Sequence, residues 1–401
     1  MPICTQSKFI TGDHKVACKW PQFDRDDEEA VIRVIKDGDV STNPIIHELE
    51  NAYCKYTGAQ FALAHNNGTS ALLAAFFSLG LQPGDEVLVP SATFWASIVP
   101  MTWLGVVPVF CESEEERLGI DPRDMEKKIT SKTKAIVVVH LWGLPAKMTE
   151  IRKIAQKYNL KVIEDASHAH GASWRGEKCG ILGNVGVFSL QGDKLAPAGE
   201  GGVLLTNDQA IYEQAICLGD ITRIIQLNSP VRRFAVTSFG VKTRIAPMSA
   251  ALGLSQLKKL DQHNKIRNDN MERLSQRLEI LGINTYLADA HIERVYFEFL
   301  ISWKEAPIPL TRIIEIILEQ GGQAAVPRYP LLHQQPLFVE NNLENILRIE
   351  GWKSTYSSVN LPKTEAINQN LIKIPCFTQK NTQLVEQYAQ VFEKIASGDL
   401  L

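Results

Sequence analysis

Short apolar runs alternate with longer amphipathic stretches from about residue 60 onward. "FALAHNNGTSALLAAFFSLG" reads as a strand, a turn and an apolar helix, and "DEVLVPSATFWASIVPMTWLG" as a strand, a loop and a helix. "VPVFCES" is a strand; "KAIVVVHLWG" is a fully apolar one, followed by the amphipathic helix "MTEIRKIAQKYN". "LKVIEDASHAHGA" runs from a strand into a loop, and "VGVFSLQGDK" and "GGVLLTND" are two more strands. Strands this apolar are covered on both faces, so the pattern predicts a largely parallel sheet between helical layers.

The texture changes after "PMSAALGLSQLKKLDQHNKIRNDNMERLSQRLEILG", a long helical pattern with apolar residues at three- and four-residue spacing. Beyond it strands ("VYFEFLISW") mix with helices ("LTRIIEIILEQGG", "NTQLVEQYAQVFEKIA"), which predicts a smaller α+β domain. Upstream of the alternation lies an irregular arm and the helix "RDDEEAVIRVIKDGD". The expected organisation is an arm over 1–30, a large α/β domain over 31–255 and a small domain over 256–401.

The composition is that of a globular protein: 401 residues, 45% hydrophobic, 22% charged, net charge −3. There is no basic excess to bind nucleic acid and no apolar run of about 18 residues to span a membrane. The first residues lack the apolar centre of a signal peptide. Seven scattered cysteines with no CxxC pair predict reduced thiols in the cytoplasm and no metal site.

Candidate chemistry collects where strands give way to loops, the usual ligand position in open α/β sheets. In "NNGTS", Gly68 allows a close approach, and Thr69 and Ser70 open a helix; the pattern fits a phosphate cradle and equally an ordinary N-cap. Phe94 and Trp95 are placed either to stack on a flat ring or to pack in the core. Glu164 and Asp165 end an apolar strand, where a carboxylate requires a partner. His168 and His170 beside them allow a metal as the lesser alternative. Lys194, in "SLQGDKLAPAGEGG", stands between two apolar strands and close to Glu200, whose setting also reads as buried. Phosphate cradle, stacking aromatic, carboxylate and interior lysine are together the needs of pyridoxal phosphate. The lysine forms a Schiff base, and the carboxylate keeps the ring nitrogen protonated.

Over most of its length the chain resembles the DegT/StrS sugar and cyclitol aminotransferases. The likeness runs through "NNGTSALLAAFFSLGLQPGDEVLVPSATFWAS", "VIEDASHAHGASWRGEKCG", "FSLQGDKLAPAGEGGVLLTND", "GVKTRIAPMSAALGLSQLKKLD" and "RYPLLHQQPLF". The resemblance implies a fold type I transferase, with a mostly parallel seven-stranded sheet sandwiched by helices and a smaller α+β domain. It implies that Lys194 is the Schiff-base lysine and that Asp165 pairs with the pyridine nitrogen. His168, where many relatives carry glutamine, lies near the ring's 3-oxygen. Phe94 stacks on the ring, with Trp95 as its neighbour and second choice. Thr69, Ser70 and Ser189 hold the phosphate, with Gln191 close by.

A residue from the second subunit of a homodimer reaches the phosphate in this family. The usual Gly-x-Asn-x-Arg reads "GVKTR" here, so Lys242 replaces the asparagine. The lysine form is more similar to the branch that aminates keto-inositols with glutamine, the L-glutamine:scyllo-inosose aminotransferases. Arg244, Arg328, Tyr329 and His333 are candidates for substrate recognition, the last three on an expected loop. The expected activity is transfer of an amino group from glutamine or glutamate to a keto-cyclitol or keto-sugar. The arm "WPQFD" also resembles aminohydroxybenzoate synthases. An eliminative, dehydrating or cyclising reaction on the same cofactor therefore stays open, as does, more remotely, a non-catalytic regulator.

Overall fold

The computed structural model describes residues 8–287, 289–340, 343–347 and 356–400. The arm makes a single helical turn at His14–Ala17 and then enters helix α1, Arg25–Asp37. Asp24 starts α1 with a reciprocal capping box to Asp27, and Gly38 ends it at φ 78°, a conformation glycine adopts without steric cost. Helix α2 is Ile45–Thr57, strand β1 Phe61–His65 and helix α3 Gly68–Ser78. Strands β2 (Glu86–Pro90), β3 (Val107–Cys111) and β4 (Thr133–Val139) follow, then helix α4 (Met148–Tyr158) and strand β5 (Lys161–Asp165). Strands β6 (Val185–Ser189) and β7 (Gly202–Thr206) complete the sheet, and helix α5 (Gln209–Gly219) covers it.

The seven strands lie in the order β1-β7-β6-β5-β4-β2-β3. All run parallel except β7, which is antiparallel to both its neighbours, β1 and β6. The mostly parallel seven-stranded sheet expected from the resemblance is therefore present. Its centre is close to dry: Val137, Ile163, Val187 and Leu204 are fully buried. At about 25 cal/mol per Å² of apolar surface removed from water, such strands are the main source of stability.

Helix α6, Pro247–Glu279, is a 33-residue element begun by proline at its first position. Beyond it strands β8 (Phe299–Ser302) and β9 (Leu371–Ile374) pair antiparallel, and helices α7 (Leu310–Glu319) and α8 (Thr382–Ser397) pack nearby. Two hydrophobic cores result, and α6 contributes to both. Its Leu254, Leu257 and Leu260 join the sheet core; its Met271, Leu274 and Leu278 join the second. The arm belongs with the second core through Ile10 and Ala17, whereas Leu332, Phe338 and Leu361 return to the first. The expected divisions at 30 and 255 fall inside α1 and α6. Of the expected loop around 330, Arg328 and Tyr329 lie in irregular chain, whereas His333 falls in the first of two short helical turns, Leu332–Gln334 and Pro336–Val339, held by burial of Leu332 and Phe338.

Candidate active site

The carboxyl ends of β1, β2, β5 and β6 open into one cleft of about 910 Å³. Each strand delivers a polar group there because the chain turns to a loop as its apolar run ends. Asp165 is the last residue of β5, Ser189 the last of β6, and Asn67 and Gly68 lead from β1 into α3. Thr93, Phe94, Trp95 and Ser97 come from the loop after β2, and Arg328 and Tyr329 close the far wall.

Lys194 lines this cleft and is only 8% exposed. Its turn is fixed from within, by its N–H to the Gln191 carbonyl at 2.9 Å and by Asp193 N–H to Gln191 Oε1 at 3.0 Å. It is also fixed from outside, because Trp20 of the arm donates its indole N–H to the Lys194 carbonyl at 3.0 Å. The ammonium sits over the Phe297 ring at 4.5 Å. Burial lowers its pKa, against the opposing pull of Asp193 and Asp165. Glu200, expected to be buried, is on the cleft's edge and exposed.

Asp165, 7% exposed, is held at both oxygens. Its Oδ2 accepts from Ser97 Oγ at 2.6 Å and its Oδ1 from the Ser167 N–H at 3.1 Å. Thr93 Oγ1 lies 2.9 Å from Ser97 Oγ behind this pair. His168 lies in an aromatic stack, 4.2 Å from Phe297 and 5.4 Å from Trp142 between ring centres. Its Nδ1 accepts the Trp142 N–H at 3.4 Å, so the ring is neutral and carries its proton on Nε2, 3.3 Å from the Tyr329 hydroxyl. Burial, then the charges of Lys194 and Arg328, hold its pKa well below the usual histidine range. His170 is turned away from the cleft against Phe188 and Tyr53, with its pKa pushed down to about 3 by burial and by Lys194. Among the described residues no group of three or more His, Cys, Asp or Glu is gathered for a metal.

Gly68, Thr69, Ser189 and Gln191 line the cleft together. A Cβ on Gly68 would stand 2.7 Å from Ser189 Cβ, so only glycine lets α3 begin this close to β6. Ser70 is not on the cleft wall; its N–H is taken by Asn67 Oδ1 at 2.8 Å, the N-cap of α3. Phe94 and Trp95 are both exposed at the mouth, 5.0 Å apart, with Tyr329 5.6 Å from Phe94.

The remaining candidates separate. Arg328 lines the cleft, bound to Asp193 Oδ2 at 2.5 Å and Glu298 Oε1 at 2.6 Å, which raises its pKa against burial. His333 does not line it: the ring is buried, with Nδ1 2.7 Å from Ser91 Oγ and Nε2 3.2 Å from Glu365, and so it fastens the loop after β2. Arg244 reaches Thr222 and Ser41 instead, and Lys242 is exposed on the surface, outside the cleft of its own chain. Ser97, Thr93, Ser167, Trp142, Phe297 and Trp20 contribute without having been singled out. Ser97 and Thr93 carried a signal, two hydroxyls four residues apart in "SATFWAS"; Trp20 stood out only as part of "WPQFD", and Phe297 carried none.

These residues fit pyridoxal phosphate. A buried amine awaits the aldehyde, a doubly held carboxylate faces the cleft for the ring nitrogen, and N–H donors open a helix where even a methyl on Gly68 would collide.

Comparison with known proteins agrees. The model of the DegT/DnrJ/EryC1/StrS aminotransferase family matches residues 21–395. GDP-perosamine synthase of Escherichia coli O157:H7 is 37% identical over 338 residues, covering 82% of this chain and 88% of that protein. L-glutamine:2-deoxy-scyllo-inosose aminotransferase of Streptomyces kanamyceticus is 30% identical over 336 residues, 80% of this chain and 78% of that one. The crystal structure of an aminotransferase from Psychrobacter cryohalolentis superposes with a TM-score of 0.83 at 26% identity, covering 94% of this chain and 98% of that one. Sheet order, the buried lysine and the family match lead to one conclusion: this chain belongs to the DegT/DnrJ/EryC1/StrS aminotransferase family and is a pyridoxal-phosphate-dependent aminotransferase of fold type I.

Proposed function

We propose that the enzyme moves the amino group of glutamine or glutamate to the carbonyl of a keto-cyclitol or keto-sugar, and that it does so as a homodimer with shared sites. The observation that carries this reading is Lys194: a nearly buried amine with depressed basicity, on the wall of a cleft large enough for cofactor and sugar. The names of the relatives supply the substrate class.

Bound pyridoxal phosphate supplies the electron sink. Lys194 Nζ would hold the aldehyde and, once released, would act as the base that takes the proton from the donor's α-carbon; a neutral amine is required, and burial favours it. Asp165, fixed by Ser97 and Ser167, keeps the ring nitrogen protonated. The Gly68 and Thr69 N–H groups, the Ser189 hydroxyl and the dipole of α3 bind the phosphate. Phe94, with Trp95 as its neighbour and second choice, would stack on the ring, His168 would lie near its 3-oxygen, and Arg328 and Tyr329 would meet the substrate. Lys242 serves the partner's phosphate. It is exposed, and Val236, Phe239, Val241 and Met248 around it are exposed apolar side chains that a second copy would cover.

Lys242 favours a free keto-cyclitol, whereas the higher identity to GDP-perosamine synthase favours a GDP-linked keto-sugar. A screen of both acceptors with glutamine and glutamate, read by mass spectrometry, tests the reading. An aminated product is expected, together with borohydride fixation of the cofactor on Lys194. Cofactor fixed on Lys194 without amino-group exchange with either donor would replace transfer by an eliminative reaction. A monomer in light scattering at micromolar concentration would remove the shared site.

A further inference from the structure

Gly240, Val241 and Lys242 are exposed, but the next residue, Thr243, is only 4% exposed and is held from several sides. Its N–H donates to the Gly219 carbonyl at 3.1 Å, and its carbonyl accepts the Asn66 N–H at 2.6 Å. Its hydroxyl lies 2.8 Å from His65 Nδ1. Arg244 then pairs with His65 in an antiparallel bridge. Gly219 is the last residue of α5, and His65 is the last residue of β1. Beyond His65 the chain runs through Asn66 to Asn67, the N-cap of α3, and to Gly68. Thr243 therefore fastens the backbone beside Lys242 to the rim of the sheet.

The hydroxyl fits a closed notch. A Cβ on Gly219 would stand 2.3 Å from Thr243 Oγ1 and 3.3 Å from His65 Cε1. The backbone at Gly219 is not left-handed, so the need for glycine there is a need for space. His65 is 1% exposed, and burial, then the Arg223 charge, bring its pKa down to about 3. The ring is neutral at ordinary pH, and its other nitrogen is buried without a partner, so the contact with Thr243 is what orients it.

A lysine on untethered chain loses backbone and side-chain freedom when its ammonium settles on one anion. Fixing the backbone one residue away removes part of that cost beforehand. We infer that Thr243 is a positioning residue, which through His65 and Gly219 pre-orders Lys242 for the phosphate bound in the partner subunit. The inference rests on the shared-site reading above, in which Lys242 serves the partner.

The test is a double-mutant cycle on the affinity of the cofactor-free dimer for pyridoxal phosphate, measured by equilibrium dialysis. Light scattering and urea unfolding establish that each variant is a folded dimer. Lys242→Met is expected to loosen the cofactor by at least about tenfold, as loss of a charge-assisted contact to phosphate does. Thr243→Val puts a methyl where the hydroxyl meets His65 and is expected to loosen it by at least about threefold, whereas Thr243→Ser should bind as the parent does. Gly219→Ala displaces the hydroxyl while leaving Thr243 and His65 in the chain, and is expected to match Thr243→Val. Added to Lys242→Met, Thr243→Val should change nothing further, because its effect passes through the lysine.

Parental affinity in a folded, dimeric Thr243→Val protein would overturn the inference; should that variant not fold, parental affinity in Gly219→Ala would do so. Equal loosening by Thr243→Val with and without Lys242 would overturn it too, because the threonine would then act through β1 on the phosphate end of its own cleft. Unchanged affinity in Lys242→Met is the distinct outcome that removes the shared-site reading, and this inference with it.

Discussion

Replacing Gly68 by alanine tests whether the close approach of α3 to β6 is what builds the phosphate end of the cleft. The new methyl would stand 2.7 Å from Ser189 Cβ and 3.2 Å from Ser189 Cα. Both atoms are fixed by the strand, so no rotamer change relieves the contact. Ordinary contact begins at 3.4 Å, so helix and strand must separate by roughly 0.7 Å. Overpacking of this kind costs about 1–3 kcal/mol. Alanine's better helix propensity and its stiffer unfolded chain offset at most about 1 kcal/mol. The separation would also draw apart Thr69 and Ser189, the residues proposed to hold the phosphate. Weakening two charge-assisted hydrogen bonds, each worth about 1.5–3 kcal/mol, is expected to loosen pyridoxal phosphate by about 10- to 100-fold. Urea unfolding measures the first effect and equilibrium dialysis of the cofactor the second. Gly192→Ala is the control: its Cβ would meet nothing closer than the Gly199 carbonyl at 3.8 Å, so neither quantity should move. A Gly68→Ala enzyme that holds the cofactor as tightly as the parent would refute the reasoning.

Ser97→Ala removes the hydroxyl that donates to Asp165 Oδ2 at 2.6 Å; urea unfolding should register a loss of about 1–3 kcal/mol, and an unchanged midpoint would mean that Ser167 alone fixes the carboxylate. Glu164→Ala, on the buried side of the same strand, orphans His140 Nε2 at 2.8 Å and the N–H groups of Gly180 and Gly183. The expected cost is about 3–5 kcal/mol, and a protein destabilised by less than about 1 kcal/mol would show that these donors find other acceptors. Burial opposes ionisation of Asp27, but hydrogen bonds from Lys259 and Ser255 outweigh it and bring the carboxyl down to about 2 from its ordinary 3.8. A folded-state pKa below the unfolded one means that the contribution is complete above pH 3.8 and disappears as pH falls toward 2. Hydrogen exchange over residues 25–37 should therefore accelerate across that interval, and Asp27→Asn should abolish the change.

The alternation of the large domain was legible because parallel strands buried on both faces leave runs such as "AIVVV", and because turn and cap residues break them cleanly. That Lys194, Asp165 and Gly68 would line the cleft was legible for a related reason: residues where apolar strands give way to loops sit at the open edge of the sheet. The direction of β7 was not, since a strand covered on both sides reads the same either way along the sheet. Nor was the fate of His333 or Arg244. Each is a polar residue in a plausible motif, and only three-dimensional partners distant in sequence, Ser91 and Glu365 or Ser41 and Thr222, decide where it goes. Trp20 and Phe297 escaped for the same reason from the other side, because contacts spanning more than a hundred residues leave no local periodicity.

The uninterrupted run of α6 from Pro247 to Glu279 restricts how the cleft can breathe. At about 1.5 Å per residue it is a rod of roughly 50 Å, rooted at one end under the sheet and at the other beneath β8 and β9. A joint that swings on a slack connector is unavailable across that rod. Along this stretch the two cores share one rigid element, so a shift of either is transmitted to the other through the rod itself.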